Sequence, residues 1–177
     1  MGYLMKLMLA LMLFGILNAS TCRSTQTENM DLTTVKQLDL ERYMGTWYEI
    51  ARFDHPFERG LSHVTATYEL RPDGKIKVTN AGYKDGKQKS ANGKAKQPNP
   101  DDPGKLKVAF FLFFYADYYV LELDDDYQWA LIGSSTDKYL WILSRNQKME
   151  QDTLDFILRR ARERGYDTSK LIWVDHE

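Results

Sequence analysis

Polar and apolar residues alternate along most of the chain from residue 45 onward, which is typical of strands with one buried face. The first alternating run covers residues 45–52 and begins at Gly45, where glycine lets the backbone turn tightly beneath the bulky Trp47. The two faces of this run carry Trp47, Glu49 and Ala51 on one side and Tyr48, Ile50 and Arg52 on the other. The pattern therefore predicts a strand that begins with a large buried ring.

The same alternation, together with the turn residues between the runs, predicts eight strands. They cover residues 45–52, 64–70, 75–83, 88–96, 106–115, 117–123, 128–133 and 138–144. Because no helical pattern separates these runs, short antiparallel connections are the simplest topology. Eight strands connected in this way can close into a barrel with room for one small ligand. We expect residues 38–43 to form a helical turn that closes one end and residues 54–60 to form a lip.

The predicted strand at 106–115 departs from the alternation, because residues 108–115 are apolar on both faces. One face of this strand would line the barrel. The other face needs a cover, for which the helix, a second subunit and the membrane surface are the alternatives. A homodimer is therefore among the expected partners.

A helical pattern appears only near the end of the chain. Its apolar stripe consists of Leu154, Ile157, Leu158 and Ala161. Gly165 provides a stop, and residues 170–174 then predict a short final strand. The predicted fold class is all-β with one helix: an eight-stranded antiparallel up-and-down β-barrel, with the C-terminal α-helix packed on the outside and the short strand last.

The first residues of the chain have the pattern of an export signal. Lys6 precedes an apolar stretch over residues 7–17, which is too short to span a bilayer core of about 30 Å. The single cysteine of the chain, Cys22, follows this stretch, so an intramolecular disulfide is excluded. The position of the cysteine predicts a lipoprotein signal, with Cys22 as the acylated lipid anchor.

These features divide the chain into a signal peptide, a polar tether and a folded domain. The predicted boundaries are 1–21, 22–36 and 37–177. Ala19 and Thr21 depart from the residues that usually precede a lipoprotein cysteine. The alternative is cleavage after Ala19 or Thr21, which gives a soluble periplasmic or secreted protein.

Composition and motifs narrow the classes of function. The net charge of −1 gives no reason to expect nucleic acid as a partner, and the aromatic share of 13% suits a barrel lined with rings. The chain has no nucleophile elbow, no phosphate-binding glycine loop and no His-Glu-x-x-His motif. Its three histidines lack metal-ligand spacing, and its one cysteine lies in the leader. We predict no catalytic residue, no metal site and no cofactor.

Three motifs resemble the signatures of the lipocalin family, and in particular the bacterial outer-membrane lipocalins of the Blc type. They are Gly45-x-Trp47, residues 116–119 and residues 140–145, supported by residues 43–53, 64–68 and 172–174. The resemblance implies that the barrel binds lysophospholipids or fatty acids, for storage or transport in membrane maintenance. It also implies a place at the cell outer membrane, reached through the N-terminal lipid anchor.

The resemblance implies roles for individual residues as well. Arg145 is expected to pack across Trp47 beside Gly45 and close the bottom of the barrel, as a structural contact. The expected ligand-binding residues are Tyr115 and Trp141, with Phe53, Phe110, Phe114 and Tyr118 as further candidates. For each of these aromatic residues, the alternative is a place in the barrel core.

Three other functions stay open. The barrel can carry another hydrophobe, such as a haem-like or isoprenoid compound. A lipid-modifying enzyme requires a reactive group inside the barrel, and Glu49 and Asp117 are the residues to mutate in testing for one. A structural protein would have a filled barrel and a dimer interface at residues 110–114.

The lysines of the middle hairpins form either a solvated face or a surface for anionic head groups. They are Lys84, Lys87, Lys89, Lys94, Lys96, Lys105 and Lys107.

Overall fold

The computed structural model describes residues 30–177. Its strands are β1 Gly45–Phe53, β2 Ser62–Leu70, β3 Ile76–Lys84, β4 Lys87–Lys96, β5 Lys105–Phe111, β6 Phe114–Leu123, β7 Trp129–Gly133, β8 Leu140–Ser144 and β9 Leu171–Trp173. Its α-helices are α1 Leu40–Tyr43 and α2 Gln151–Glu163, and a 3₁₀ turn covers Thr168–Lys170. The predicted signal peptide and Cys22 lie outside the described residues.

Strands β1 to β8 form a closed barrel, in which each strand pairs with the next in antiparallel fashion. The ring closes where β8 pairs with β1, with Tyr48 opposite Ser144, while Trp47 of β1 lies opposite Ala66 of β2. Strand β9 adds to β1 outside the ring of eight. The predicted eight-stranded antiparallel barrel with one C-terminal helix and a short final strand is confirmed.

The strand directions place the connections alternately at the two ends of the barrel. We call the end with the β1–β2, β3–β4, β5–β6 and β7–β8 connections the open end, and the other the closed end. Helix α1 precedes β1 at the closed end, and the Asp39 side chain caps it by accepting the N–H groups of Glu41 and Arg42. The predicted lip at residues 54–60 forms the β1–β2 loop at the open end.

The structure corrects the prediction of one strand over residues 106–115. Two strands meet there in a tight hairpin, with Phe111 opposite Phe114 and only Leu112 and Phe113 in the turn. Leu112 has φ of +48°, in the left-handed region that usually selects glycine or asparagine. Because the turn has no glycine, proline or asparagine, the apolar run shows no break in the sequence. We call residues 110–114 the apolar tip.

Apolar side chains form two cores, one on each face of the sheet. The interior core fills the lower barrel around Trp47 and Ile132. The outer core lies between the barrel and α2, whose Ile157 and Ala161 are fully buried against β6, β7 and β8. Among residues 30–177, no helix combines the length and the apolar character that a membrane span requires.

An irregularity in β1 changes which residues face the interior. The register with β8 shifts between Glu49 and Ala51, so Ile50 and Ala51 both pack in the outer core. Arg52 then turns inward and pairs with Glu49, while Phe53 packs in the outer core. The predicted strict alternation is wrong beyond Glu49, because a bulge adds one residue and breaks the two-residue period.

Part of the predicted tether packs against the barrel. The Val35 N–H donates to the Val120 carbonyl at 3.0 Å, and the buried Thr34 hydroxyl donates to Asp102 at 2.7 Å. Upstream of these contacts, the Asp31 N–H donates to the carbonyl of Arg164, just after α2. Residues 30–36 therefore belong to the folded unit, which begins earlier than the predicted residue 37.

Candidate ligand-binding site inside the barrel

The closed end is sealed around Trp47, whose side chain is fully buried. The guanidinium carbon of Arg145 lies 3.8 Å from the centre of the Trp47 ring, in cation–π geometry. Gly45 has φ of +93°, and a Cβ at this position would lie 3.4 Å from Nη1 of Arg145. Glycine therefore allows the positive φ of this turn, next to the guanidinium.

Arg145 also connects three segments of the closed end by hydrogen bonds. Its Nη1 donates to the Thr46 carbonyl at 3.0 Å, and its Nη2 donates to the carbonyls of Arg42 and Met44 at 2.8 and 2.9 Å. Its Nε donates to the Tyr127 carbonyl at 3.3 Å. Since these carbonyls belong to the end of α1, the start of β1 and the β6–β7 turn, one side chain holds all three together.

Three tyrosines form the floor above Trp47. The hydroxyl of Tyr118 lies 2.7 Å from that of Tyr43 and 3.0 Å from that of Tyr68, which donates to it. The Trp47 Nε1 donates to the Tyr43 carbonyl at 2.9 Å. Burial raises the pKa of the Tyr43 and Tyr118 phenols well above their ordinary value, so the floor is uncharged.

Buried charged side chains lie above this floor, towards the open end. Arg52 donates from Nη1 to Oε1 of Glu49 at 2.7 Å and from Nη2 to the Glu58 carbonyl at 2.7 Å. His55 Nε2 lies 2.9 Å from Oε2 of Glu58, and Trp141 Nε1 donates to the same oxygen at 3.2 Å. We call Glu49, Arg52, His55 and Glu58 the polar cluster, and each of these residues is buried.

The pKa values of the two carboxyl groups of the cluster shift in opposite directions. Loss of solvent raises the pKa of Glu49 to about 8, and the charge of Glu58 adds to this effect while Arg52 opposes it. Burial also disfavours the Glu58 carboxylate, but its contacts with His55 and Trp141 and the charge of Arg52 outweigh that cost and lower its pKa. At neutral pH a protonated Glu49 therefore lies beside an ionised Glu58.

The polar cluster leaves hydrogen-bonding capacity unused. Arg52 Nε and Asn80 Oδ1 are buried and make no hydrogen bond within residues 30–177, although Asn80 Nδ2 donates to Glu58 at 3.4 Å. Buried polar atoms are normally hydrogen-bonded. A free donor and a free acceptor at this point are therefore suited to the polar group of a ligand.

Three inward-facing residues on β2, β4 and β6 are small, and we call these positions the small-residue wall. Ala66, Gly93 and Ala116 face inward, because each lies opposite a residue of the interior core on a neighbouring strand. All three keep some solvent exposure. Phe110 packs over Gly93, where an added Cβ would lie 2.8 Å from the ring. The three small side chains fill less of the interior than larger residues would at these positions.

Three of the six predicted ligand-binding residues lie around this interior. Trp141 faces inward, and its ring stacks on Tyr139 with centres 5.7 Å apart and planes 4° apart. Tyr118 belongs to the floor, and Phe110 belongs to the small-residue wall at the edge of the apolar tip. The structure therefore brings Trp141, Tyr118 and Phe110 to the same compartment.

The other three predicted residues lie elsewhere. Tyr115 is on the outer face of β6, where the ammonium groups of Lys94 and Lys96 lie 5.7 and 4.6 Å from its ring centre. Phe53 packs in the outer core because of the β1 bulge. Phe114 lies in the apolar tip and is 67% exposed. None of the three lines the interior beside the polar cluster.

A depression of about 500 Å³ opens at the rim of the open end. It is lined by Phe53, Asp54, His55, Pro56, Asp137, Lys138, Tyr139 and Lys170. His55 connects this depression to the polar cluster, since its ring is shared between the two. The depression is therefore lined mainly by charged and aromatic side chains.

Arg52, His55 and Glu58 were not among the predicted site residues. The predicted lip contains His55 and Glu58, and strict alternation places Arg52 on the face opposite Glu49. One indication was present: the three ionisable residues are spaced by three along a segment that leaves a buried strand. The β1 bulge and the inward course of the loop determine their positions, and alternation alone does not predict either.

Glu49 and Asp117, the residues considered for catalysis, do not lie together. Asp117 is on the outer face of β6, where its carboxylate pairs with Lys107 at 2.6 Å. Glu49 alone faces the interior, with Arg52 as its partner. Within residues 30–177, no group of three or more histidine, cysteine, aspartate or glutamate side chains is arranged to hold a metal ion.

A closed eight-stranded barrel with an arginine-sealed base and an external helix is the architecture of proteins that bind small ligands inside a barrel. Residues 38–176 match the family described as the lipocalin-like domain. This chain belongs to the lipocalin family, and the family membership and fold indicate binding of small hydrophobic molecules.

Several relatives are similar over most of their length. The outer membrane lipoprotein Blc of Vibrio cholerae is 47% identical over 146 residues, which cover 81% of this chain and 85% of the relative. The protein of the same name from Escherichia coli K12 is 46% identical and covers 85% and 86% of the two chains. Among solved structures, insecticyanin from the tobacco hornworm superposes with a TM-score of 0.68 at 23% identity, over 83% and 85% of the chains, which supports the fold.

Proposed function

We propose that this protein binds one lysophospholipid or fatty acid inside its barrel and stores or transports it in membrane maintenance. The acyl chain lies along the small-residue wall above the tyrosine floor. The polar end of the lipid meets the polar cluster near the open end. This arrangement assigns the apolar part of the ligand to the small residues and its polar part to the polar cluster.

The observation that carries the proposal is the combination of small side chains and unused polar atoms inside one barrel. Ala66, Gly93 and Ala116 face inward, and Arg52 Nε and Asn80 Oδ1, the latter opposite Ala66 on β3, offer an unused donor and acceptor. Buried polar atoms of a barrel that is filled only for stability are normally hydrogen-bonded. An amphipathic ligand can pack on the small residues and bond to the free polar atoms.

The expected binding energy is adequate for a carrier. Burying a chain of about 14 methylenes contributes about 11 kcal/mol at about 0.8 kcal/mol each, before the costs of ordering and association. If these costs consume about a third of that amount, micromolar affinity remains. A reactive group in the barrel is not needed for this function.

The proposal includes location at the outer membrane. Relatives that are 46% and 47% identical are named outer membrane lipoproteins, and Cys22 of this chain follows an export-type leader. Acylation of Cys22 would hold the barrel at the surface of the membrane whose lipids it binds. The intact mass of the mature protein tests this part, because acylation adds the mass of the lipid groups to the N-terminal residue.

Native mass spectrometry tests the ligand. We expect the purified chain to carry lipid and, after delipidation, to take up one added lysophospholipid or fatty acid per barrel. A co-purified haem-like or isoprenoid compound would replace the ligand class in this proposal, and conversion of the added lipid would indicate an enzyme. A barrel that neither contains nor takes up any lipid contradicts the proposal.

A matched pair of variants shows whether the ligand lies inside. Ala116→Phe places a ring on the inward face of β6, whereas Ser90→Phe places the same ring on the outward face of β4. Both native residues are small and exposed. We expect Ala116→Phe to lose the bound lipid and Ser90→Phe to keep it. Equal lipid content in the two variants would place the ligand outside the barrel.

A further inference from the structure

The apolar tip is a concentrated exposed apolar surface at the open end. Phe111, Leu112, Phe113 and Phe114 are each at least 60% exposed, and Phe111 and Phe114 stack with ring centres 6.3 Å apart. A run of this kind is unusual on a protein that faces only water. Phe57, which is 65% exposed, adds a further ring at the same end of the barrel.

The residues of the turn are not those that would stabilise the hairpin best. Leu112 has a positive φ, which is costly for a side chain of this size, at a position where hairpins usually carry glycine or asparagine. A polar turn would stabilise the same hairpin with less strain. The chain instead keeps leucine and phenylalanine at the most protruding point of β5 and β6.

Side chains along this hairpin change character in order from its base to its tip. Farthest from the tip, Lys107 and Asp117 form an ion pair with a distance of 2.6 Å. Next towards the tip, Tyr115 lies beneath the ammonium groups of Lys94 and Lys96. The exposed phenylalanines follow at the end.

This order matches the layers of a membrane surface. Tyrosine and lysine are favoured at the level of lipid head groups, and phenylalanine is favoured in the acyl region just below. Lys94 and Lys96 have no carboxylate within salt-bridge distance among the described residues, in contrast to Lys107. Their charge is therefore available to anionic head groups.

The segment before the barrel runs past the closed end. Thr34 bonds to Asp102 in the β4–β5 connection, and Arg164, whose carbonyl accepts from the Asp31 N–H, donates to the Leu121 carbonyl near the end of β6. The hairpin, and not this segment, therefore indicates which end faces a membrane. Any transfer of lipid at that end rests on the proposed function.

We propose that the open end of the barrel docks on an anionic lipid bilayer, with the apolar tip inserted among the lipids and Lys94 and Lys96 at the head groups. In this orientation the entrance of the barrel faces the membrane. A lipid can then pass between bilayer and barrel without crossing water. The surface takes a bilayer rather than a second copy of the chain because its polarity is graded along the hairpin.

Vesicle flotation of residues 23–177 tests the proposal. This part of the chain keeps every described residue and lacks Cys22, so binding does not depend on the anchor. We expect it to bind vesicles that contain phosphatidylglycerol more tightly than vesicles of phosphatidylcholine alone. The double variant Phe111→Ser with Phe113→Ser should reduce binding about tenfold or more, and Lys94→Gln with Lys96→Gln should reduce binding to the anionic vesicles by about fivefold for each lysine.

Phe156→Ser is the matched control, since Phe156 is an exposed phenylalanine on α2, away from the tip. It should bind vesicles as the unmodified protein does. Equal loss of binding in the tip variant and in the control, or no loss in either, would overturn the proposal. Lipid retention by the tip variant, measured by native mass spectrometry, separates docking from ligand binding, because Phe111 and Phe113 lie at the exposed tip, away from the buried polar cluster.

A label at the tip reports insertion directly. Residues 23–177 contain no cysteine, so Phe113→Cys and Phe156→Cys each provide a single site for an environment-sensitive dye. We expect brominated lipids to quench the dye at 113 and to leave the dye at 156 unchanged. A dye at 113 that stays in water on bound vesicles contradicts docking through the tip. A solution dimer that the tip variant dissociates would assign this surface to a second copy and would also overturn the proposal.

Discussion

Replacing Arg145 by alanine tests how the closed end is held together. The guanidinium contacts the buried Trp47 ring at 3.8 Å and donates to carbonyls of α1, β1 and the β6–β7 turn. A buried cation–π contact contributes about 0.5–2 kcal/mol, and hydrogen bonds to a charged group contribute about 1.5–3 kcal/mol each. Because water can reach part of this end and replace some of the lost bonds, we expect a loss of about 2–4 kcal/mol in the free energy of unfolding.

A loss of this size corresponds to a fall in Tm of about 5–15 °C for a domain of this length. Urea unfolding and calorimetry of the wild-type and Arg145→Ala proteins measure both quantities. Arg145→Lys serves as a control that keeps the charge but lacks the planar fork, and it should lie between the two.

The polar cluster lies at the other end of the barrel from Arg145. Ligand selectivity should therefore change little in Arg145→Ala, provided that the measurement is made well below its lower Tm. A Tm within about 2 °C of the wild-type value would refute this account of the closed end. Unchanged stability together with altered ligand selectivity would instead assign Arg145 to the binding site.

The interior provides two further predictions. Because the pKa of Glu49 is about 8 in the folded protein and ordinarily 4.5, the folded state holds this proton more tightly than the unfolded state does. The free energy of unfolding should therefore fall as pH rises from about 5 to 8. In measurements of Tm against pH, Glu49→Gln should largely remove that fall. An equally steep fall in the variant would contradict the assignment to Glu49. Tyr118→Phe removes the hydroxyl that lies between those of Tyr43 and Tyr68 and should cost about 1–2 kcal/mol in urea unfolding. An unchanged midpoint would show that the tyrosine floor adds no stability.

Much of the architecture is predictable from the sequence, because it depends on local periodicity. Two-residue alternation and turn residues define most strands, and the stripe that contains Ile157 and Ala161 defines the helix against the outer core. The Trp47–Arg145 contact is different. It joins residues far apart in the chain, and only the resemblance to a known family points to it.

The incorrect predictions arise where alternation is interrupted without a turn residue. At Leu112 the chain reverses with no glycine or proline, so the break between the two strands was predicted near residue 116 instead of at residues 112–113. At Ile50 a bulge moves Arg52 inside and Phe53 outside. Tyr115 shows a further limit, since an aromatic residue near a predicted mouth fits either face of its strand until the register is known.

The polar cluster was not predicted because the positions of its side chains depend on contacts outside the local pattern of the sequence. Its members come from β1 and from the loop that follows, and their burial depends on the course of residues 54–60 over the top of the barrel. Loop paths of this kind depend on tertiary contacts, such as the hydrogen bond from Trp141 to Glu58. Such contacts join residues that are far apart in the chain, so local sequence patterns do not predict them.

Photo-crosslinking with a fatty acid that carries a reactive group on its chain tests the location of the ligand most directly. Peptide mass spectrometry after irradiation would identify the residues that the chain touches. We expect labelling of Trp141, Tyr118 and Phe110 and no labelling of Tyr115 or Phe53. Crosslinks confined to Tyr115, Phe53 or the surface of α2 would contradict a lipid site inside the barrel.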